Sequence, residues 1–187
     1  MSDVTICVPV IPPRVNTTLP RALKSVFRQE HGCDLAVAVD YDREGAWATR
    51  NRAASMAQTE WIGFLDDDDE LLPHHVSTLL AAANGDYDMV WGWFEVQGGT
   101  DPFPHYRGRQ YDPYHPHVVP ITYLVKTELY MDTNGFRADE YGAWDLQDQP
   151  VLNEIIAAGG KMLAIWETTW IWHHHGANTS GLPSRWT

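Results

Sequence analysis

An α/β fold, with a mostly parallel sheet flanked by helices in a single domain, is what this sequence predicts. Three observations carry that expectation. Apolar runs of strand type at Val4 to Val10, Leu35 to Val39 and Trp61 to Leu65 alternate with stretches of helical spacing. The segments between them are long enough for the helical crossovers that parallel strands require. At 187 residues the chain supports one substantial core and leaves little room for a second module, so residues 1–187 are read as one domain.

Each element has its own signal. Val4 to Val10 is unbroken apolar sequence leading to Pro12-Pro13, as in a strand buried on both faces that runs into a loop. Leu19, Ala22, Leu23, Val26 and Phe27 repeat at helical spacing behind Pro20, which suits a first turn. Leu35 to Val39 is a second strand ending at Asp40, and Ala46 to Met56 an alanine-rich helix carrying Arg50, Asn51 and Arg52. The third strand runs into Asp66-Asp67-Asp68-Asp69-Glu70. Pro73 then opens a helix with Leu72, Val76, Leu79, Leu80 and Ala83 on one face, stopped by Asn84-Gly85. His74 and His75 are expected on its surface. Asp88 to Phe94 is a fourth strand, with Trp91 and Trp93 read as core. Glu95 to His117, rich in Gly, Pro, His and Tyr, is expected to be a lid or acceptor-facing loop. Val118 to Val125 regains strand character, and Asp148-Gln149-Pro150 opens a helix ended by Gly159-Gly160. Met162 to Trp166 and Thr169 to Trp172 read as two further strands, the second entering His173-His174-His175.

Charge narrows the function. A formal net charge of −12 argues against a nucleic-acid surface, because affinity for a phosphate backbone comes from Lys and Arg. It leaves room for a nucleotide held by a metal and a few arginines. No apolar stretch approaches the roughly 20 residues of a membrane span, and Met1-Ser2-Asp3 carries no basic leader, so a cytoplasmic protein is expected. Cys7 and Cys33 fall in or beside core strands, which suggests reduced packing thiols.

The acidic run dominates the chemistry. Five successive carboxylates at a strand end repel one another by several kcal/mol unless a cation joins them. Hard oxygen ligands select Mg²⁺, Mn²⁺ or Ca²⁺. An EF-hand is excluded, because Leu71 stands where its glycine belongs and Ser77 where its glutamate belongs. Helix capping by Asp69 or Glu70 is the plainer alternative. Order and strand content resemble a Rossmann-type nucleotide fold, yet no G-x-G-x-x-G or G-x-x-x-x-G-K-[ST] is present, so another device must hold phosphate.

Taken together, Val4 to Pro9, Asp40, Thr49-Arg50-Asn51, Phe64 to Asp69 and Pro73 resemble the nucleotide-binding half of the family 2 glycosyltransferases of GT-A fold. Asn134-Gly135-Phe136, Gln147-Asp148 and Gly159-Gly160-Lys161 continue the likeness. The resemblance implies a nucleotide-sugar half over 1–95 and an acceptor or catalytic half over 96–187. It implies inverting transfer of a sugar from a nucleoside diphosphate sugar, UDP favoured, to an acceptor hydroxyl of a glycan, protein or small molecule, with Mn²⁺ or Mg²⁺. Pro9, Arg14, Asp40, Arg50, Asp66 and Asp67 would then line the donor, Asp68 would bind the metal with His175 and then His173, and Asp148 would be the base. Asp148 also fits a simple helix N-cap, and Asp145 or Glu140 are the other carboxylates for the base role. Gln147 stands where the family has glutamate. A nucleotidyltransferase and a non-catalytic nucleotide- or sugar-binding protein are the alternatives.

Overall fold

A computed structural model of the chain describes residues 2–137 and 148–175. Strand β1 (Val4–Val10) is buried along its whole length because it lies between two parallel neighbours, β2 (Asp34–Val39) and β3 (Trp61–Phe64). Helix α1 (Leu19–Val26) makes the first crossover and α2 (Ala46–Ala54) the second. Beyond β3 come a two-residue strand β4 (Glu70–Leu71), helix α3 (His75–Ala83), β5 (Met89–Gln97), β6 (Tyr123–Lys126) and the short α4 (Thr127–Met131). Helix α5 (Gln149–Ala157) and the long β7 (Met162–His173) complete the described chain. The sheet is mixed, in the order β2-β1-β3-β6-β5-β7-β4. β6 runs antiparallel to β3 and β5, β4 runs antiparallel to β7, and β5 and β7 are parallel.

Alternation along the strands builds a core on each face of this sheet. Val4, Ile6, Val8 and Val10 point toward α1 and α3, where Leu19, Ala22, Val26, Val76, Leu79 and Ala83 meet them. Cys7, Ile62 and Phe64 point the other way, against Ala53 and Ala54 of α2, Tyr130 of α4 and Val151, Leu152 and Ile155 of α5. Both cysteines are free thiols. Trp91 and Trp93 are each 1 % exposed and belong to the core. Among the described residues no helix is long and apolar enough to cross a membrane.

Several expectations need correction. The two strands expected between residues 162 and 172 are one, irregular where Trp91 pairs with Ala164 but Trp93 with Thr168, so the alternation breaks without the strand ending. α3 begins at His75 rather than Pro73, because Leu72 is still paired in extended form, its N–H donating to the Thr169 carbonyl at 2.9 Å. His75 is not a surface residue. It is buried against β7 with Nδ1 3.0 Å from Thr169 Oγ1, and burial pulls its pKa down to about 3, so it stays neutral. The loop expected from Glu95 starts later. β5 runs to Gln97, and the residues beyond are tied to β7 and α5. Arg107 donates to the Trp166 carbonyl at 2.8 Å, Gln110 pairs both ways with the Ala164 backbone at 2.9 Å, and Tyr111 donates to Asn153 at 2.9 Å.

Candidate functional site

The four aspartates occupy a tight turn between β3 and β4. The Leu65 N–H donates to the Cys7 carbonyl at 3.1 Å, the last register of the parallel strands, and the Asp69 N–H closes back on the Asp66 carbonyl at 3.1 Å. A turn this tight cannot leave four successive side chains on one side, and they spread to different neighbours, with Asp67 and Asp68 sharing Arg14. Asp66 meets Arg50 of α2, whose Nη2 is 2.6 Å from its Oδ1. Asp67 turns back toward the loop after β1, accepting from the Ile11 N–H at 3.2 Å and from Arg14 Nη1 at 2.8 Å. Asp68 faces the same Arg14 Nη1 at 2.8 Å and His175 Nε2 at 3.1 Å. Asp69 accepts the His173 backbone N–H at 2.8 Å, while the His173 ring lies 2.7 Å from Glu70.

Three of these residues converge. Asp66, Asp68 and Asp69 each present a carboxylate oxygen within 4.8 Å of the others. Asp67, Asp68 and Asp69 are 4 %, 5 % and 3 % exposed, which is deep for carboxylates. Burial raises the Asp67 pKa to about 6 against the pull of Arg14. Asp68 is also raised, by burial first and then by Asp66, and Asp69 well above its ordinary value by burial and by Asp66 and Asp68. The site is short of positive charge. Among the described residues, five carboxylates (Asp66 to Asp69 and Glu70) face three guanidinium groups, those of Arg14, Arg21 and Arg50, so formally two negative charges are left over. One divalent cation would balance that charge, and the all-oxygen trio suits Mn²⁺ or Mg²⁺.

The remaining candidates sit around this turn. Pro9 is buried within β1, opposite Ala38. Asp40, at the end of β2, turns both oxygens onto its own loop, accepting the Glu44 N–H at 2.9 Å and the Gly45 N–H at 3.0 Å. It thereby fixes the entry into α2 and the placement of Arg50. Asp148 stands at the N-cap position of α5 but makes no side-chain capping bond. Burial raises its pKa to about 6, and Arg50 opposes that shift, so one guanidinium influences both Asp66 and Asp148. Glu140, Asp145 and Gln147 lie outside the described residues. Of the convergent trio the sequence named only Asp68 as a metal ligand, placed Asp66 along the donor and gave Asp69 no site role, and Arg21, donating to the Asp68 carbonyl at 2.5 Å, had no signal at all.

Comparison with known proteins places this arrangement in context. Residues 37–139 match the family described as Glycosyl transferase family 2. A 50-residue stretch is 42 % identical to the GalNAc(5)-diNAcBac-PP-undecaprenol beta-1,3-glucosyltransferase of Campylobacter jejuni, an alignment spanning 27 % of this chain and 16 % of that protein. Among solved structures, S. aureus TarS 1–349 in complex with UDP-GlcNAc superposes with a TM-score of 0.76 at 13 % identity, over 97 % of this chain and 62 % of that one. The mannosyltransferase PcManGT from Pyrobaculum calidifontis, in complex with GDP-Man and Mn²⁺, gives 0.68 at 14 % identity, over 91 % and 56 % respectively. At such identities the likeness is one of fold, and this chain spans less than two thirds of either structure.

Proposed function

Because the chain belongs to glycosyl transferase family 2, we propose that it moves a sugar from a nucleoside diphosphate sugar to an acceptor hydroxyl, with a divalent metal and inversion at the anomeric carbon. The observation that carries this reading is the Asp66, Asp68 and Asp69 convergence, in a site two positive charges short of balance, with Arg50 acting on both Asp66 and Asp148. A uridine diphosphate sugar is the favoured donor, since TarS holds UDP-GlcNAc in the same fold; GDP-mannose is the next to try.

The chain's own groups divide the work. Asp68, with Asp66 and Asp69, would hold Mn²⁺ or Mg²⁺, and His175, 3.1 Å from Asp68, stands ready as a nitrogen ligand. Bound there, the ion supplies positive charge to the departing diphosphate. Arg14, at the loop after β1, and Arg50, on α2, add guanidinium donors suited to phosphate oxygens. Asp148 accepts the proton of the attacking hydroxyl, and a pKa raised by burial to about 6 makes it a better base at neutral pH than an ordinary carboxylate.

A thermal-shift screen with UDP, GDP, UDP-GlcNAc and GDP-mannose, each with and without Mn²⁺, tests the proposal. A ligand at 100 times its Kd stabilises by about 2.7 kcal/mol, a shift of several degrees. The wild type should shift with a nucleotide only when Mn²⁺ is present, and Asp68→Ala should abolish that dependence. Equal shifts without the metal, or none with any nucleotide, would remove the basis of the reading.

A further inference from the structure

We infer that Asn51 is a positioning residue that locks the Asn134-Gly135-Phe136 turn to α2 and so sets where Asp148 stands relative to the Asp66–Arg50 end of the donor site. The inference rests on the transferase reading above.

Asn51 treats Phe136 as one strand treats another. Its Nδ2 donates to the Phe136 carbonyl at 2.7 Å and its Oδ1 accepts the Phe136 N–H at 2.9 Å, satisfying both backbone groups of a residue outside any strand. The same Oδ1 accepts from the Tyr130 hydroxyl at 2.8 Å. The fit leaves no slack, because a Cβ on Gly135 would lie 2.6 Å from Asn51 Oδ1, and the turn needs φ +68° there.

The lock has a connection at each end. Toward the donor, Arg50 is the next residue on α2; it holds Asp66 at 2.6 Å and has its guanidinium carbon 5.7 Å from the centre of the Phe136 ring. Toward the base, Asn134 donates to Glu154 from its backbone at 2.8 Å and from its amide at 3.0 Å, and Arg137 reaches the same carboxylate at 2.7 Å. Glu154 belongs to α5, whose N-cap is Asp148. Asp66 and Asp148 lie on segments far apart in sequence, and short polar contacts joined through the backbone of α2, the turn and α5 lead from the first toward the second. Misplacement of a reacting group by about 1 Å costs on the order of 100-fold in rate, so a clamp on that route governs turnover more than donor affinity.

The test compares steady-state hydrolysis of UDP-GlcNAc and GDP-mannose with Mn²⁺, water taking the sugar and the nucleoside diphosphate being the product read, for the wild type and variants, normalised to folded protein by circular dichroism. Asn51→Ala and Gly135→Ala should lower kcat by roughly 10- to 100-fold while leaving the donor KM within about threefold. Tyr130→Phe removes one contact to Asn51 but keeps the backbone pair. It should lower thermal stability and leave kcat within about twofold, an outcome that general loosening of this core would not give. Should Asn51→Ala not fold, Asn51→Asp, which keeps the acceptor oxygen and loses the donor, carries the same comparison. A kcat unchanged in Asn51→Ala and Gly135→Ala, or a loss confined to KM, overturns the inference alone. A wild type that turns over neither donor and shows no Mn²⁺-dependent thermal shift with any nucleotide overturns the transferase reading with it.

Discussion

Asp148 and the aspartate turn differ in what a single substitution should reveal. Asp148→Asn keeps size and polarity but cannot take a proton, so nucleotide binding should persist while turnover falls by about 100-fold or more. Since burial raises the carboxyl to about 6, wild-type kcat/KM should fall about tenfold per pH unit below that value, as the base is neutralised; an ordinary carboxylate would hold its rate to near pH 4. A pH profile flat from 7 to 5 would contradict the assignment. The acidic run was visible as a site because five successive carboxylates at the end of an apolar strand repel one another unless a cation joins them. What the run could not disclose was its division of labour. Asp67 serves Arg14 and the Ile11 N–H, and Asp69 joins Asp66 and Asp68, because a tight turn scatters neighbours that an extended chain would alternate. His75 was misplaced because α3 starts later than Pro73 suggests, which rotates its first turn toward β7.

At the level of elements, the attachment of α5 to the Asn134 turn makes stability depend on acid. Arg137, helped by the Asn134 backbone and amide and opposed by burial, holds the Glu154 pKa at about 2 against an ordinary 4.5. A folded-state value below the unfolded one stabilises fully above about 4.5, and that contribution is lost as pH falls from there toward 2. With solvent screening at this partly open site, about 1 kcal/mol is expected. Urea unfolding at pH 7 should therefore show Glu154→Gln less stable by about that amount, with the difference shrinking at pH 3. Parallel β1, β2 and β3 with their crossover helices were legible because each is a continuous apolar run followed by helical spacing. β4 and α4, at two and five residues, are too short to show a period. The strand expected from Val118 begins only at Tyr123, downstream of Pro120, which has no N–H to donate.

For the molecule as a whole, the two-faced core forces close packing through the sheet. A Cβ at Gly63 in β3 would stand 2.7 Å from Leu124 Cδ2, 3.0 Å from Ile6 Cδ1 and 3.2 Å from the Tyr123 carbonyl. Gly63→Ala should cost about 1–3 kcal/mol, read as a lower urea midpoint with unchanged slope. The strand order β6-β5-β7-β4 was not legible, since pairing of β6 between β3 and β5 and of β4 with β7 depends on contacts between residues far apart in sequence. Arg14 has an implication for how this protein behaves when divalent ions are scarce. One nitrogen, 2.8 Å from Asp67 and 2.8 Å from Asp68, already stands among the acids as a resident counterion. Chelation should therefore leave the far-ultraviolet spectrum superimposable on that of the untreated protein, and a collapse of that spectrum in EDTA would show that the guanidinium does not suffice. On the proposed metal reading, such a molecule would survive starvation for the ion intact and be rearmed by simple resupply, without passing through refolding.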